Sequence, residues 1–198
     1  MKRLLIIGAG GHGRCCLEIA KSMHIYNQYA FLDDGLVKQV INDIPVIGAI
    51  EEMSSYYGEY EDIFIAIGNN AIRKKISRKA KEIGYNLVNL IHPSATIMDA
   101  SIGEGCVCFP GVVIEAQAKV GNGCIITSNS VINHDAVLED YVLVYSNSTI
   151  RSNTFIGTET RIGSNCCIEM NVKIQAGSDI SSGSIVKQSD DYCFEAGV

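Results

Sequence analysis

Apolar residues recur at every sixth position from Ile102 to Val186, and fifteen of them form one unbroken series. A small residue follows four positions after most of them, as at Cys106, Ala118 and Ser130. A short fixed repeat cannot bury its own apolar face, so stacked neighbours must build a continuous core. The pattern predicts a β-solenoid of about five triangular coils, with three hexapeptides to a coil and both repeated positions facing inward.

Coils of this kind wind left-handed, against the usual right-handed crossover between parallel strands. Short strands in a β-sandwich are the alternative, and they would alternate apolar and polar residues with irregular turn spacing. The strict period of six disfavours the sandwich. We therefore expect an all-β left-handed parallel β-helix in the second half of the chain.

The first ninety residues show a different pattern, in which apolar runs alternate with helical segments. Strands are predicted at residues 4–7, 30–32, 63–67 and 86–90, with helices from the first glycine turn to residue 23 and over residues 70–83. This alternation predicts a small parallel sheet covered on both faces, a Rossmann-like α/β half domain. His92-Pro93 marks the expected boundary, which gives domains of residues 1–91 and 92–198.

A glycine-rich turn follows the first predicted strand. Gly8, Gly10 and Gly13 match G-x-G-x-x-G, and Asp33 and Asp34 follow about 20 residues later. Such glycines let backbone N–H groups approach a phosphate at a helix N-terminus, and the acids accept from a sugar or base. A nucleotide fits, but ninety residues hold only about half of a dinucleotide fold, which disfavours an NAD(P) enzyme. The simpler alternative is that these segments are only turns and helix caps.

Composition and charge narrow the function classes. The chain has 47% hydrophobic and 19% charged residues, an ordinary globular balance, and no apolar stretch reaches the length of a membrane span. Residues 1–90 carry a net charge of +1 and residues 91–198 a net charge of −7, which argues against nucleic acid as a partner. The eight cysteines include no C-x-x-C pair and read as reduced core residues. We expect a cytoplasmic protein with no metal and no membrane partner.

The one histidine of the repeat region stands in the segment Asn133-His134-Asp135, between two inward positions. An imidazole titrates near neutrality and can act as a general base, and the adjacent carboxylate of Asp135 could orient the ring. A surface histidine without a chemical role is the alternative on these grounds.

Three segments together resemble a known family. They are FLDD at residues 31–34, FIAIGNNAIR at residues 64–73 and SVINHD at residues 130–135, combined with the glycine-rich half domain and the hexapeptide repeat. The chain resembles the bacterial sugar acetyltransferases that make acetamido sugars or acetylate sialic acid. It is most similar to the nucleotide-sugar N-acetyltransferases of the bacillosamine pathway.

The resemblance implies a homotrimer that transfers acetyl from acetyl-CoA to an amino group of a nucleotide-linked sugar, such as a UDP-4-amino-dideoxy sugar. His134 matches the catalytic base of the family, and Asp135 stands where the family has Glu or Asp. The nucleotide sugar would be held by the matching segments of the first domain. Their residues are Gly10, Gly11, His12, Gly13, Asp33, Asp34, Gly68, Asn69 and Arg73.

The resemblance also implies contacts with acetyl-CoA in a groove between neighbouring solenoids, at Leu143, Ser152 and Gly183. Leu143 replaces a second family histidine, and Ser152 lies where the next turn of the family carries glycine. Two other functions stay open at this point. One is acetyl transfer to a hydroxyl of a sialic-acid-like sugar, and the other is a solenoid that binds a nucleotide sugar without catalysis.

Overall fold

A computed structural model describes residues 2–187, and the chain divides into two compact units. The first unit ends at Pro93 and the second begins at Ser94, close to the boundary expected from His92-Pro93. The elements of the first unit, in chain order, are β1 (Arg3–Ile7), α1 (Gly11–Ser22), β2 (Gln28–Leu32), β3 (Val40–Ile41), β4 (Ile44–Gly48), a 3-10 helix (Ile50–Tyr56), β5 (Asp62–Ile65), α2 (Asn70–Ile83), β6 (Asn86–Leu87) and β7 (Leu90–Ile91).

The first unit is built on a sheet with the strand order β3-β4-β2-β1-β5-β6. Neighbouring strands run parallel, apart from the antiparallel pair β3 and β4. Residues 4–7 of the central strand are fully buried, as expected for a parallel strand that is covered on both faces. The predicted α/β unit is confirmed.

The β3–β4 hairpin and the 3-10 helix lie where the sequence analysis predicted no element. The hairpin turns at Asn42 and Asp43, which both have positive φ angles of 47° and 64°. Two residues of this conformation form the turn that matches the twist of a β-hairpin. β3 has only two residues, and Pro45 interrupts the apolar run of β4, so the sequence pattern did not indicate either strand.

The second unit is a stack of two-residue strands. Its elements within the described residues are β8 (Thr96–Ile97), β9 (Ser101–Ile102), β10 (Val107–Cys108), β11 (Val113–Ile114), β12 (Lys119–Val120), β13 (Ile125–Ile126), β14 (Val131–Ile132), β15 (Val137–Leu138), β16 (Leu143–Val144), β17 (Thr149–Ile150), β18 (Phe155–Ile156), β19 (Arg161–Ile162), β20 (Cys167–Ile168), β21 (Lys173–Ile174), β22 (Asp179–Ile180) and β23 (Ile185–Val186).

Each of these strands pairs in parallel with the third strand along the chain, so one coil contains three strands. Ile114 therefore lies beside Ile132, and Ile132 beside Ile150. All three side chains are fully buried, and so are the small residues Ser130 and Ser148. The predicted β-solenoid is confirmed, with both repeated positions facing inward.

A third repeated position was not recognised in the sequence. The residue just before each small inward residue from Cys106 to Ser184 has a positive φ angle, for example 58° at Asn129, 60° at Asn147 and 56° at Asn165. Glycine and asparagine adopt this left-handed conformation at the least cost, which explains their frequency at these turns. Asp135 also occupies this position, with a φ of 61°.

Candidate functional site

The predicted nucleotide-binding segments of the first unit meet at one edge of its sheet. The glycine turn follows β1, Asp33 and Asp34 follow β2, and Gly68 and Asn69 follow β5. Because β2, β1 and β5 are parallel neighbours, the loops after them lie side by side. Open α/β sheets bind ligands outside the carboxyl ends of their strands, at such an edge.

The glycine turn combines tight packing with open space. A Cβ atom added at Gly13 would lie 1.9 Å from the carbonyl oxygen of Gly8, so only glycine fits there. A Cβ atom added at Gly10 would have no other heavy atom within 4 Å. Helix α1 begins at Gly11 without a side-chain cap among the described residues. A helix start of this kind offers backbone N–H groups to an anion.

Asp33 and Asp34 shape the loops around the glycine turn. The two carboxylate oxygens of Asp33 accept hydrogen bonds from the backbone nitrogens of Ala9 and Gly35, each at 2.9 Å. Asp34 accepts one from the backbone nitrogen of Ile50 at 2.8 Å. The carboxylate of Asp33 therefore holds the glycine turn in place. Asp34 is exposed, so it is the better placed of the two to meet a ligand.

Asn69 and Arg73 organise the loop before α2. Asn69 caps the helix by accepting from the backbone nitrogen of Ile72 at 2.9 Å. Arg73 is 1% exposed, and its guanidinium donates to the carbonyl oxygens of Ile67 and Gly68 at 2.9 and 3.0 Å. It also donates to the side-chain oxygen of Asn70 at 2.8 Å. These contacts give the Arg73 side chain a supporting role beneath the loop.

His12 lies in the first turn of α1 and is partly buried. Its burial, together with the positive charge of Arg73, lowers the pKa of His12 to about 4. The ring is therefore neutral near pH 7, with one nitrogen as donor and the other as acceptor. The thiol sulfur of Cys16 lies 3.6 Å from Nε2, on the same face of the helix. A neutral imidazole at this place can make hydrogen bonds but has no positive charge to attract a phosphate.

In the second unit, His134 and Asp135 form the turn between β14 and β15. The Nδ1 atom of His134 lies 2.7 Å from Oδ2 of Asp135, and the two side chains are 55% and 51% exposed. When Nδ1 carries the proton, it donates a hydrogen bond to the carboxylate of Asp135, and Nε2 is left as the basic nitrogen. The arrangement supplies an oriented base that is open to an incoming group.

One contact of this turn was missed in the sequence analysis. A carboxylate oxygen of Glu115, in the preceding coil, accepts from the backbone nitrogen of His134 at 2.9 Å. The carbonyl oxygen of His134 accepts from the backbone nitrogen of Asn153, in the following coil, at 3.4 Å. Once the coil length is known, the spacing of Glu115 and His134 places them on adjacent coils.

The predicted acetyl-CoA residues lie on different sides of a single coil stack. Ser152 is in the turn between β17 and β18, one coil after His134, and is 7% exposed. Leu143 is in β16, on a different sheet, and is 4% exposed. Gly183 is in the exposed turn between β22 and β23, with a φ of 79°. Their contact with a donor stays a prediction.

Two other features are absent from the part of the chain that the structure describes. Residues 2–187 contain no group of three or more His, Cys, Asp or Glu side chains arranged to hold a metal ion. Across the same stretch, no helix combines the length and the apolar character needed to cross a membrane.

An α/β unit followed by a solenoid of three parallel sheets is the fold of the hexapeptide-repeat acetyltransferases. Residues 3–80 match the model of the PglD N-terminal domain. The acetyltransferase domain of PglB from Neisseria gonorrhoeae FA1090 is 34% identical, with a TM-score of 0.91 over 95% of this chain and 92% of that one. The chain belongs to this family of hexapeptide-repeat sugar acetyltransferases, and its solenoid is the left-handed parallel β-helix that the sequence predicted.

Two further relatives are named after specific reactions. The UDP-N-acetylbacillosamine N-acetyltransferase of Bacillus subtilis (strain 168) is 31% identical over 110 residues, which are 54% of this chain. The match spans only 51% of that relative's length. PerB from Caulobacter crescentus, solved in complex with CoA and GDP-perosamine, is 27% identical, with a TM-score of 0.89 over 95% of this chain and 90% of that one.

Proposed function

We propose that this protein is an acetyl-CoA-dependent N-acetyltransferase that acts on an amino group of a nucleotide-linked sugar. The observation that carries the proposal is the half-exposed His134–Asp135 pair on a turn of the β-helix. It is supported by the family: one relative is named as an N-acetyltransferase, and another was solved with CoA and an amino sugar linked to GDP. By analogy with the Bacillus relative, the proposed acceptor is a UDP-4-amino-dideoxy sugar.

In the proposed reaction His134 acts as a general base. The sugar nitrogen attacks the carbonyl carbon of the thioester, and Nε2 of His134 takes a proton from the amine as the new C–N bond forms. The C–S bond then breaks, and the proton passes to the departing sulfur, which gives an amide and free CoA. Asp135 holds Nδ1–H and stabilises the imidazolium that forms in between.

The first unit is proposed to hold the nucleotide sugar mainly through its backbone. The N–H groups at the start of α1, at Gly11, His12 and Gly13, suit the charge of a diphosphate. The exposed Asp34 is proposed to accept from the sugar or base of the nucleoside. Gly68 and Asn69 complete the same edge of the sheet, where Arg73 supports them from beneath.

The proposed assembly is a homotrimer with acetyl-CoA between adjacent β-helices. Leu143 and Gly183 lie on other sides of the coil than the His134 turn, so one copy of the chain does not gather these residues at one place. A groove between two copies would bring a side of one β-helix against the His134 turn of its neighbour. Orienting donor and acceptor in one groove is a large part of catalysis in bimolecular transfers.

The test is release of free CoA from acetyl-CoA in the presence of UDP-, GDP- and CMP-linked amino sugars. Release with one of these acceptors, lost by about 10²-fold or more in His134→Ala, is the expected result. His24→Asn is the matched control, since His24 is an exposed histidine outside the site and asparagine tolerates its φ of 55°. Binding of a nucleotide sugar with no CoA release from any acceptor would contradict the enzymatic function and favour a binding role.

A further inference from the structure

The peptide that carries the proposed base is held by a side chain from another coil. Glu115 directly follows β11, and its Oε2 atom accepts from the backbone nitrogen of His134 at 2.9 Å. The next backbone nitrogen, that of Asp135, donates to the carbonyl oxygen of Ala116 at 3.3 Å. Both peptides of the turn are therefore tied to the preceding coil, the first through a carboxylate. A hydrogen bond to a charged acceptor is stronger than one between neutral groups.

The same construction occurs at a turn without a histidine. Glu139 directly follows β15, and its Oε2 atom accepts from the backbone nitrogen of Thr158 at 2.9 Å. Each glutamate lies 19 residues before its partner, at the same position of the six-residue repeat but on different sides of the coil. Glu139 thus provides a matched comparison. It has the geometry of the Glu115 contact without a catalytic group beside it.

The His134 turn has little freedom once its first peptide is fixed. Asp135 already has the left-handed conformation, with a φ of 61°, and its carboxylate meets the imidazole at 2.7 Å. On the other side, the bond from Asn153 to the carbonyl oxygen of His134 is long, at 3.4 Å. The Glu115 contact, at 2.9 Å, is therefore the shortest of the three hydrogen bonds that fix the peptide groups on either side of His134. A small displacement of a catalytic group can cost up to about 10²-fold in rate.

We propose that Glu115 is a positioning residue for acetyl transfer, which fixes the His134 peptide and so the direction of the imidazole. This proposal rests on the function proposed above. Glu115 does not need to touch either substrate to act in this way. Its loss should lower kcat and leave the KM values for the donor and acceptor unchanged, because substrate binding does not use the contact.

The kinetic experiment compares Glu115→Ala, Glu115→Gln and Glu139→Ala. Glu115→Ala is expected to lower kcat about tenfold at unchanged KM. Glu115→Gln should recover most of the rate, since its amide oxygen still accepts from the His134 nitrogen. Glu139→Ala should keep the wild-type kcat. An equal kcat loss in Glu115→Ala and Glu139→Ala, or none in either, would overturn the proposal.

A double variant tests whether Glu115 acts through His134. In the His134→Ala background, adding Glu115→Ala should cause no further fall in kcat, because the group that it positions is gone. A further tenfold fall would show that Glu115 acts independently of His134 and would overturn the positioning role.

A spectroscopic measurement separates this proposal from the proposed function. The chain has four histidines, so protein labelled with ¹⁵N-histidine gives four backbone amide signals, and His134→Ala identifies the one from His134. That signal should move in Glu115→Ala and stay in place in Glu139→Ala. If no acceptor is acetylated by the wild type, the proposed function fails, and this signal still decides the contact. An unmoved signal in Glu115→Ala overturns the positioning role in either case.

Discussion

The two candidate sites use polar side chains in opposite ways. In the first unit, both carboxylate oxygens of Asp33 accept hydrogen bonds from backbone N–H groups. The buried guanidinium of Arg73 donates to backbone carbonyl oxygens. In the second unit, the His134 ring and the Asp135 carboxylate meet each other and remain half exposed. The side chains of the first site hold backbone groups in position. The side chains of the second site are themselves exposed to an incoming ligand. Substitutions at Asp33 or Arg73 should therefore affect stability, and substitutions at His134 or Asp135 should affect rate.

The largest effect on stability is expected at Gly13. In Gly13→Ala the new Cβ would lie 1.9 Å from the carbonyl oxygen of Gly8, and backbone must move to relieve the clash. We expect the free energy of unfolding to fall by about 3 kcal/mol. Gly10→Ala, where the site is open, should cost less than about 1 kcal/mol. Urea denaturation measures both, and equal losses would contradict the described packing.

A smaller loss is expected when the buried arginine is removed. Arg73→Met leaves the carbonyl oxygens of Ile67 and Gly68 without this donor, and we expect the unfolding free energy to fall by about 2 kcal/mol. Arg78→Met is the control, because Arg78 is exposed on the same helix, and its effect should stay within about 0.5 kcal/mol. If Arg73→Met were as stable as the control, the bonds from Arg73 to Ile67 and Gly68 would not be what supports this loop.

Acid should weaken the first unit through His12. The pKa of His12 is about 4 in the folded chain against 6.5 without the fold, so the unfolded chain takes up its proton first as the pH falls. The unfolding free energy that depends on the neutral His12 ring is present above about pH 6.5 and is lost as the pH falls towards 4, with about 1 kcal/mol gone by pH 5.5.

Denaturation curves at about pH 7 and pH 5.5 test this linkage, with His12→Gln as the comparison. The variant should lose less stability than the wild type between the two pH values, because glutamine does not titrate. Identical losses in both proteins would mean that His12 is not kept neutral by its surroundings.

The smallest effect is expected at the repeated turn position of the β-helix. Asn165 is exposed and has a φ of 56°, so Asn165→Ala should cost about 0.5–1 kcal/mol, while Asn165→Gly should be close to neutral. Thermal unfolding of the two variants provides the measurement. A more stable alanine variant would show that backbone conformation is not what selects asparagine here.

The fold was predictable from the sequence to different extents in the two units. Every coil of the β-helix buries apolar residues at the same positions. The regular spacing of residues such as Ile114, Ile132 and Ile150 is therefore enough to predict the β-helix. The turn position with positive φ is equally regular, for example at Asn129 and Asn147, and its glycines and asparagines are a second signal of the same repeat. The β3–β4 hairpin was missed because β3 has only two residues and Pro45 interrupts the apolar run of β4.

The candidate sites were predictable only in part. Residue types and spacing drew attention to Asp33 and His134, and the family resemblance to Arg73, but neither could show which groups each residue would contact. Asp33 meets Ala9, which lies 24 residues away, only because β1 and β2 are neighbours in the sheet. The Glu115 contact depends in the same way on the length of one coil. Contacts across elements need the register of those elements, which no single motif contains.

The first unit is proposed to bind the nucleotide sugar, and the second unit to carry the catalytic base. The most direct test of this division is steady-state kinetics of Asp34→Asn and His134→Ala with one accepted nucleotide sugar. Asp34→Asn keeps an acceptor for Ile50 but removes the charge, so it should raise the KM for the sugar nucleotide and change kcat little. His134→Ala should lower kcat by about 10²-fold or more at an unchanged KM. The reverse pattern, with kcat lost in Asp34→Asn and only KM raised in His134→Ala, would contradict binding by the first unit and catalysis by the second.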